Sequence, residues 1–279
     1  MVTLTHHGDI TRVRFTSART RLVGYSVSAY LVRGVLVDTG FPAVAADVAR
    51  LFSELRPQGA AVTHTHEDHA GNVELLARRG VPIAMSDATR AGVRAVRPIG
   101  FYRRFTWGAM APLASPVVPL DLSAAGLTLL PTPGHSADHH AVWDPSAETL
   151  FGGDLFLGVK VRVAHPGENP RLLARTLRQV AELRPRRLFD AHRGLVEDAT
   201  AALLAKADWL EETIGQIDRR VAEGWSDRAI RQDVLGREEP AGYFSRGDYS
   251  RLNLVRAVRK SRESPSPTAT SRGYGSSVL

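Results

Sequence analysis

The chain of 279 residues contains no cysteine. That absence removes disulfides as a source of stability, thiolates as metal ligands and a thiol as nucleophile. Long apolar runs are missing too: no 18 consecutive residues stay hydrophobic, so a membrane-spanning helix is not expected. The opening stretch, Met1 to Asp9, lacks a charged segment followed by an apolar core, and a cytoplasmic location is expected in place of export. Aromatic residues are only 7 % of the chain, and none interleave with a basic strand. The formal charge is +7, yet the basic residues are scattered without a run of five or six. Nucleic acid is therefore not an expected partner, nor is a membrane, whereas a small anionic molecule suits the positive field. No internal repeat is present, and a homodimer stays open.

What the chain does have is a dense run of donors. His64-Thr65-His66-Glu67-Asp68-His69 carries three imidazoles and two carboxylates directly after the apolar Ala60-Ala61-Val62. Buried, such groups need a partner for every lone pair taken out of water, and a divalent cation is the obvious one. Side chains two apart in an extended segment point the same way, so His64 and His66 can grip one ion, while Asp68 and His69 fall at a turn and can address another. Further donors follow plausible strands: His135 in Pro133-Gly134-His135-Ser136, Asp154 in Gly152-Gly153-Asp154, and His192 in Asp190-Ala191-His192 before Arg193-Gly194. Imidazole and carboxylate without thiolate suit zinc, and iron or manganese would also be held.

In this order the motifs HxHxDH, PGHS, GGD and a late His before Gly resemble the metallo-β-lactamase-fold hydrolase superfamily, as does Leu36-Val37-Asp38-Thr39-Gly40. The resemblance spans about residues 10–200. It implies two divalent metal ions, most simply Zn with Fe or Mn open. His64, His66 and His135 would hold one, Asp68, His69 and His192 the other, and Asp154 both. It places Asp38 behind a ligand histidine by hydrogen bond and His139 beside the ligands in a supporting role. A water shared by two metals loses its proton near neutrality, giving a metal-bridging hydroxide as nucleophile, with Asp68 orienting it and shuttling its proton. The implied activity is hydrolysis of a small ester, thioester or lactone, in a glyoxalase II-like branch. A phosphodiesterase on the same two metals is the runner-up. A mononuclear-iron persulfide dioxygenase is the alternative of another class, and the complete seven-residue set argues against it. Antibiotic-hydrolysing members usually lack the shared Asp. Lactonases usually carry a Tyr shortly after it, and Leu155 to Val159 contains none.

Short apolar strands alternate with helices, which predicts an α/β (α+β) fold. Strands are expected at 11–16, 27–32, 35–38, 59–63, 81–85, 127–130, 140–144, 149–151 and 187–190, and helices at 43–55 and 171–183. The resemblance adds the four-layer αββα sandwich. Residues 1–197 form the expected catalytic domain. Residues 198–262 read as a helical C-terminal extension, with helices at 198–222, 227–235 and 249–259 and Ser226 as an N-cap. That extension is read as a lid, as cover for the sheet, or as a three-helix DNA-binding module. Residues 263–279, rich in Ser, Pro and Gly, read as a disordered tail. Candidates for the substrate pocket are Phe101, Tyr102 and Trp107 from an aromatic stretch, Lys160, Arg162 and His165 after Asp154, and Tyr243, Phe244 and Tyr249 from the extension.

Overall fold

The computed structural model describes residues 1–263. The tail expected beyond them lies, from Ser264, outside the described residues. Two sheets face one another. The first has six strands in chain order, β1 (Val2–His7), β2 (Ile10–Phe15), β3 (Val27–Val32), β4 (Val35–Val37), β5 (Gly59–Ala61) and β6 (Ile83–Ala84). Its pairings are antiparallel as far as β4 and parallel from β4 to β6. The second has five, ordered β11 (Gly194–Glu197), β10 (Arg187–Asp190), β9 (Thr149–Gly153), β8 (His140–Asp144) and β7 (Thr128–Pro131).

Strand periodicity sorts the apolar side chains into layers. Along β3, Val27 and Ala29 face one core while Tyr30 and Val32 face another; along β9, Leu150 and Phe151 part in the same way. The core between the sheets holds Tyr30, Val35, Val37, Val142, Phe151 and Phe189. Each fully buried Phe there contributes about 1.5–3 kcal/mol. The outer face of the first sheet is covered by α2 (Ala45–Leu55) through Val48 and Leu51, and by α3 (Val73–Arg78) through Val73 and Leu76. The outer face of the second sheet is covered by α6 (Pro170–Glu182) and α7 (Ala199–Ala222), whose Leu173, Leu177, Leu203 and Leu210 meet Leu150 and Leu188. This is the four-layer αββα arrangement. Strands buried on both faces read as continuous apolar runs, which is why most were legible.

β1 and β11 were not expected from the sequence. β1 is an edge strand with most of its side chains in solvent, so no buried face marks it. Its register comes from the two-residue turn Gly8-Asp9, where Gly8 takes φ +66°. The helix expected over 43–55 begins at Ala45, after a 3-10 turn Pro42–Val44 that the proline opens. Beyond α7 the expected helix 227–235 divides into α8 (Asp227–Ile230), capped by Ser226, and a wider π-helical turn, Arg231–Leu235. Then come α9 (Pro240–Phe244) and α10 (Arg251–Glu263). No helix among the described residues is long and apolar enough to cross a membrane.

Candidate metal centre

Four loops at one edge of the sandwich carry the expected donors. His64 to His69 follow β5, His135 lies between β7 and β8, Asp154 follows β9, and His192 sits in the turn from β10 to β11. The first loop leaves its strand held by both sheets: Val62 N–H donates to Ala84 O (2.9 Å), and Thr63 O accepts from His140 N–H (2.8 Å). It then tightens into one helical turn, with His69 and Ala70 N–H both donating to His66 O. The turn separates the donors into two groups. His64, His66, His135 and Asp154 have ligand atoms within 4.8 Å of one another, and so do Asp68, His69, Asp154 and His192. Either group can hold a metal ion, and Asp154 belongs to both.

Two glycines are required for this approach. Gly153 has φ +50°, and a Cβ there would come within 2.9 Å of His139 Nε2 and of Thr63 Oγ1. Gly134, at φ +142°, lets the His135 turn press on α6, where a Cβ would lie 2.5 Å from Leu173 Cα. The GGD and PGHS spellings thus have a steric cause.

Hydrogen bonds behind the rings set their tautomers. Asp38 Oδ1 accepts from Thr63 N–H (2.9 Å), and Thr63 Oγ1 donates to the same carboxylate. The hydroxyl can then only accept from His64 Nδ1–H, 3.0 Å away, leaving His64 Nε2 with its lone pair forward. His69 Nδ1–H donates to Asp38 Oδ2 (2.7 Å), and His192 Nδ1–H donates to Ser26 O (2.8 Å). His139 is turned away from the cluster: Nδ1–H donates to Thr132 O (3.1 Å), and Nε2 accepts from Asp154 N–H (3.1 Å). It holds the main chain of the shared carboxylate. Of the seven buried side-chain atoms without a hydrogen-bond partner among the described residues, three stand together here, His64 Nε2, His69 Nε2 and Asp154 Oδ1. All belong to the two groups, and the last two stand 3.2 Å apart without hydrogen-bond alignment. An unpartnered buried donor set of this kind fits a cation, which would satisfy all three at once.

The electrostatics of the two groups differ. Burial and the neighbouring imidazoles hold His64 and His66 well below the usual histidine range, and burial takes His135 down to about 3. Burial also disfavours the charged forms of His69 and His192, but Asp154 and Asp68, with Asp38 on His69, outweigh it and raise both well above that range. Asp154 in turn is kept ionised against burial by His69 and His192. Without an ion, the three imidazoles of the first group are neutral, and the second group is a compact imidazolium–carboxylate cluster.

A cavity of about 530 Å³ opens over the cluster. Tyr102, Trp107, Lys160, Arg162, His165 and Tyr249 line it, together with His66, Asp68, His135, Asp154 and His192. Phe101 and Tyr243, also expected there, do not: they are 64 % and 72 % exposed, on the outward faces of α5 (Phe101–Thr106) and α9. A helical segment aims only part of an aromatic run inward. Phe244 packs edge-on against Tyr102 from outside the lining.

Several residues at the site were not read from the sequence. Thr63 is one. Arg103 is another: its Nε donates to Glu67 Oε1 (2.6 Å) and its terminal nitrogen to Oε2, a bidentate pair that ties α5 to the ligand loop. Burial pushes the Glu67 carboxyl up, and the Arg103 guanidinium opposes that. Lys206, buried in α7, donates to Leu155 O (3.0 Å) and to Phe156 O, the carbonyls just past Asp154. Burial lowers its ammonium to about 8. Glu168, its carboxyl pushed up to about 7 by burial, accepts from His165 N–H and lies 3.7 Å from His135 Nδ1. An i,i+4 pair or a motif would have flagged such partners, but the Arg103–Glu67 and Lys206–Leu155 pairs span 36 and 51 positions of chain.

The helical extension packs as cover for the second sheet and also reaches the cavity, through Glu239, Tyr249 and Arg251. Comparison with known proteins agrees with the geometry. The chain is 26 % identical over 222 residues to the Beta-lactamase-like protein 2 homolog of Caenorhabditis elegans, covering 71 % of this chain and 68 % of that protein. It is 28 % identical over 127 residues to the Probable metallo-hydrolase YybB of Bacillus subtilis, covering 45 % of this chain and 58 % of that one. The crystal structure of a metallo-beta-lactamase from Erythrobacter litoralis superposes with a TM-score of 0.58 at 18 % identity, covering 76 % of this chain and 96 % of that one, a likeness of fold alone. The family model of the metallo-beta-lactamase superfamily matches residues 22–214, and the chain belongs to that superfamily.

Proposed function

We propose that the protein is a dinuclear metal-dependent hydrolase that cleaves a small ester, thioester or lactone carrying negative charge. The observation that supports this most directly is Asp154, shared by two four-residue donor groups and left with an unpartnered buried oxygen. Two bound divalent ions, zinc by the nitrogen and oxygen donor set, would acidify a shared water and polarise the substrate carbonyl.

The chain's own residues do the rest. Asp38, Thr63 and Ser26 keep the Nδ1 atoms of His69, His64 and His192 protonated, so the Nε2 atoms stay available. Asp68, with Oδ2 3.4 Å from His192 Nε2, faces the cavity and is the group that takes the proton of the attacking water and returns it to the leaving group. Tyr102, whose OH lies 3.2 Å from His165 Nε2, offers a hydroxyl in the same wall to hold the substrate. Lys160 and Arg162 are exposed in the lining and make no ion pair among the described residues, which suits a carboxylate on the substrate. The stretch after Asp154 has no Tyr, yet Tyr25, Tyr102 and Tyr249 reach the cavity from elsewhere.

The test is metal content by elemental analysis alongside turnover of chromogenic esters, thioesters, lactones and bis(4-nitrophenyl) phosphate, with added Zn, Mn or Fe. Two metals per chain and hydrolysis of the acyl substrates are expected. One metal per chain with full activity after Asp154→Ala would sink the dinuclear reading; preference for the phosphodiester would sink the acyl one.

A further inference from the structure

On the far side of the Glu67–Arg103 pair lies a second cavity, of about 920 Å³, between α4 (Asp87–Arg94), the segment 95–99, α5 and the loop that follows it. His66 and Arg103 belong to the walls of both cavities, so the two lie back to back beside the ligand groups. Arg103 is fixed in this shared wall, because both oxygens of a buried carboxylate hold its guanidinium. Beyond it the wall carries Arg94, Arg97 and Arg104, all exposed. None of the three has a side-chain hydrogen bond or an ion pair among the described residues. That is unlike the basic surface of the helical extension, where Arg220 meets Asp233 and Glu223, and Arg259 meets Asp227. The carboxylates of this wall are already engaged: Glu67 with Arg103, and Asp138 with Thr65 N–H and the hydroxyls of Ser136 and Thr89. Between the charges run apolar side chains, Val96, Ile99 and Met110, half-buried.

We infer that this second cavity is a binding site for the distal part of the substrate, a chain with an apolar stem ending in a carboxylate or phosphate. The stem lies on Val96, Ile99 and Met110, and the anionic end is met by Arg94, Arg97 and Arg104. The scissile bond then sits at the boundary of the two cavities, where the ligand groups are. Only that last placement rests on the hydrolase reading; the binding site stands on its own residues.

The test measures binding directly, so it does not depend on turnover. N-dansyl-6-aminohexanoate, which has such a stem and end group, is titrated into the metal-loaded full chain and followed by fluorescence, with its neutral amide as control. The wild type is expected to bind the acid about tenfold more tightly than the amide, as two or three partly exposed charge pairs allow. Arg97→Ser/Arg104→Ser should abolish that preference, while Arg219→Ser/Arg228→Ser, an exposed pair on the helical extension that lines neither cavity, keeps it. Equal binding of acid and amide by the wild type would overturn the proposal, as would a preference that survives in the groove variant or vanishes in the Arg219/Arg228 one. Metal content and circular dichroism verify that each variant is folded and loaded. Absence of ester turnover alongside a groove-dependent acid preference would count against the hydrolase reading alone.

Discussion

The floor of the main cavity and its walls are held by different kinds of bond. On the floor, His64, His69 and His192 are oriented by groups at the ends of central strands: Asp38 and Thr63 after β4 and β5, Ser26 before β3. In the walls, Tyr102, Arg103, His165 and Tyr249 come from helices and loops joined by side-chain contacts, such as the 4.9 Å approach of the His165 and Tyr249 rings. A donor set tied to strand ends has almost no freedom to relax when one member is lost. A wall packed from separate segments can yield and refill.

The contrast is broken most severely by Asp154→Ala, which strikes both donor groups. Its loss of activity should exceed the roughly 10–100-fold expected for an outer partner, and elemental analysis should find less than one metal per chain. Next comes pH. His69 and His192 lie above their usual range in the ion-free protein, so both carry protons at neutrality that a metal must displace, whereas His64, His66 and His135 carry none. Affinity of the second group should therefore rise with pH until those raised values are passed, by about a hundredfold per unit for two protons, while the first group stays nearly flat. Competition with a chelator across pH 6–9 reads both slopes, and equal slopes would erase the distinction. Third, Asp38→Asn removes the charge behind His69 and should lower metal affinity about 10–100-fold in the same competition.

The walls should respond less. Lys206→Met leaves Leu155 O and Phe156 O without their donor and should cost about 1–3 kcal/mol in urea unfolding, with kcat of the loaded enzyme nearly retained. Tyr102→Phe deletes one hydroxyl and should raise KM by no more than about tenfold, the worth of a single hydrogen bond. A Tyr102→Phe loss as large as that of Asp38→Asn would mean that wall and floor are one unit.

Much of the centre was legible because its donors cluster or follow glycines that have steric work to do. His64 to His69 occupy six positions, and Gly134 and Gly153 mark His135 and Asp154. The central strands were legible for a related reason, since burial on both faces makes them unbroken apolar runs. Arg103 and Lys206 were not, since an arginine in a basic chain and a lysine on a helix look like solvated surface until the fold closes over them. Phe101 and Tyr243 failed in the opposite sense: aromatic identity names a residue that can pack but not the side of a short helix it will occupy.

By itself the sequence determined which side chains can serve as donors and that they lie at strand ends, because donor chemistry and backbone periodicity are local properties. Which donors share an ion site was foreseen only through the family resemblance, and the tertiary structure alone decided which nitrogen each ring presents and which distant cations and phenols surround it. Those depend on distances between loops that two packed sheets bring to one edge, and such distances have no trace in the order of the residues.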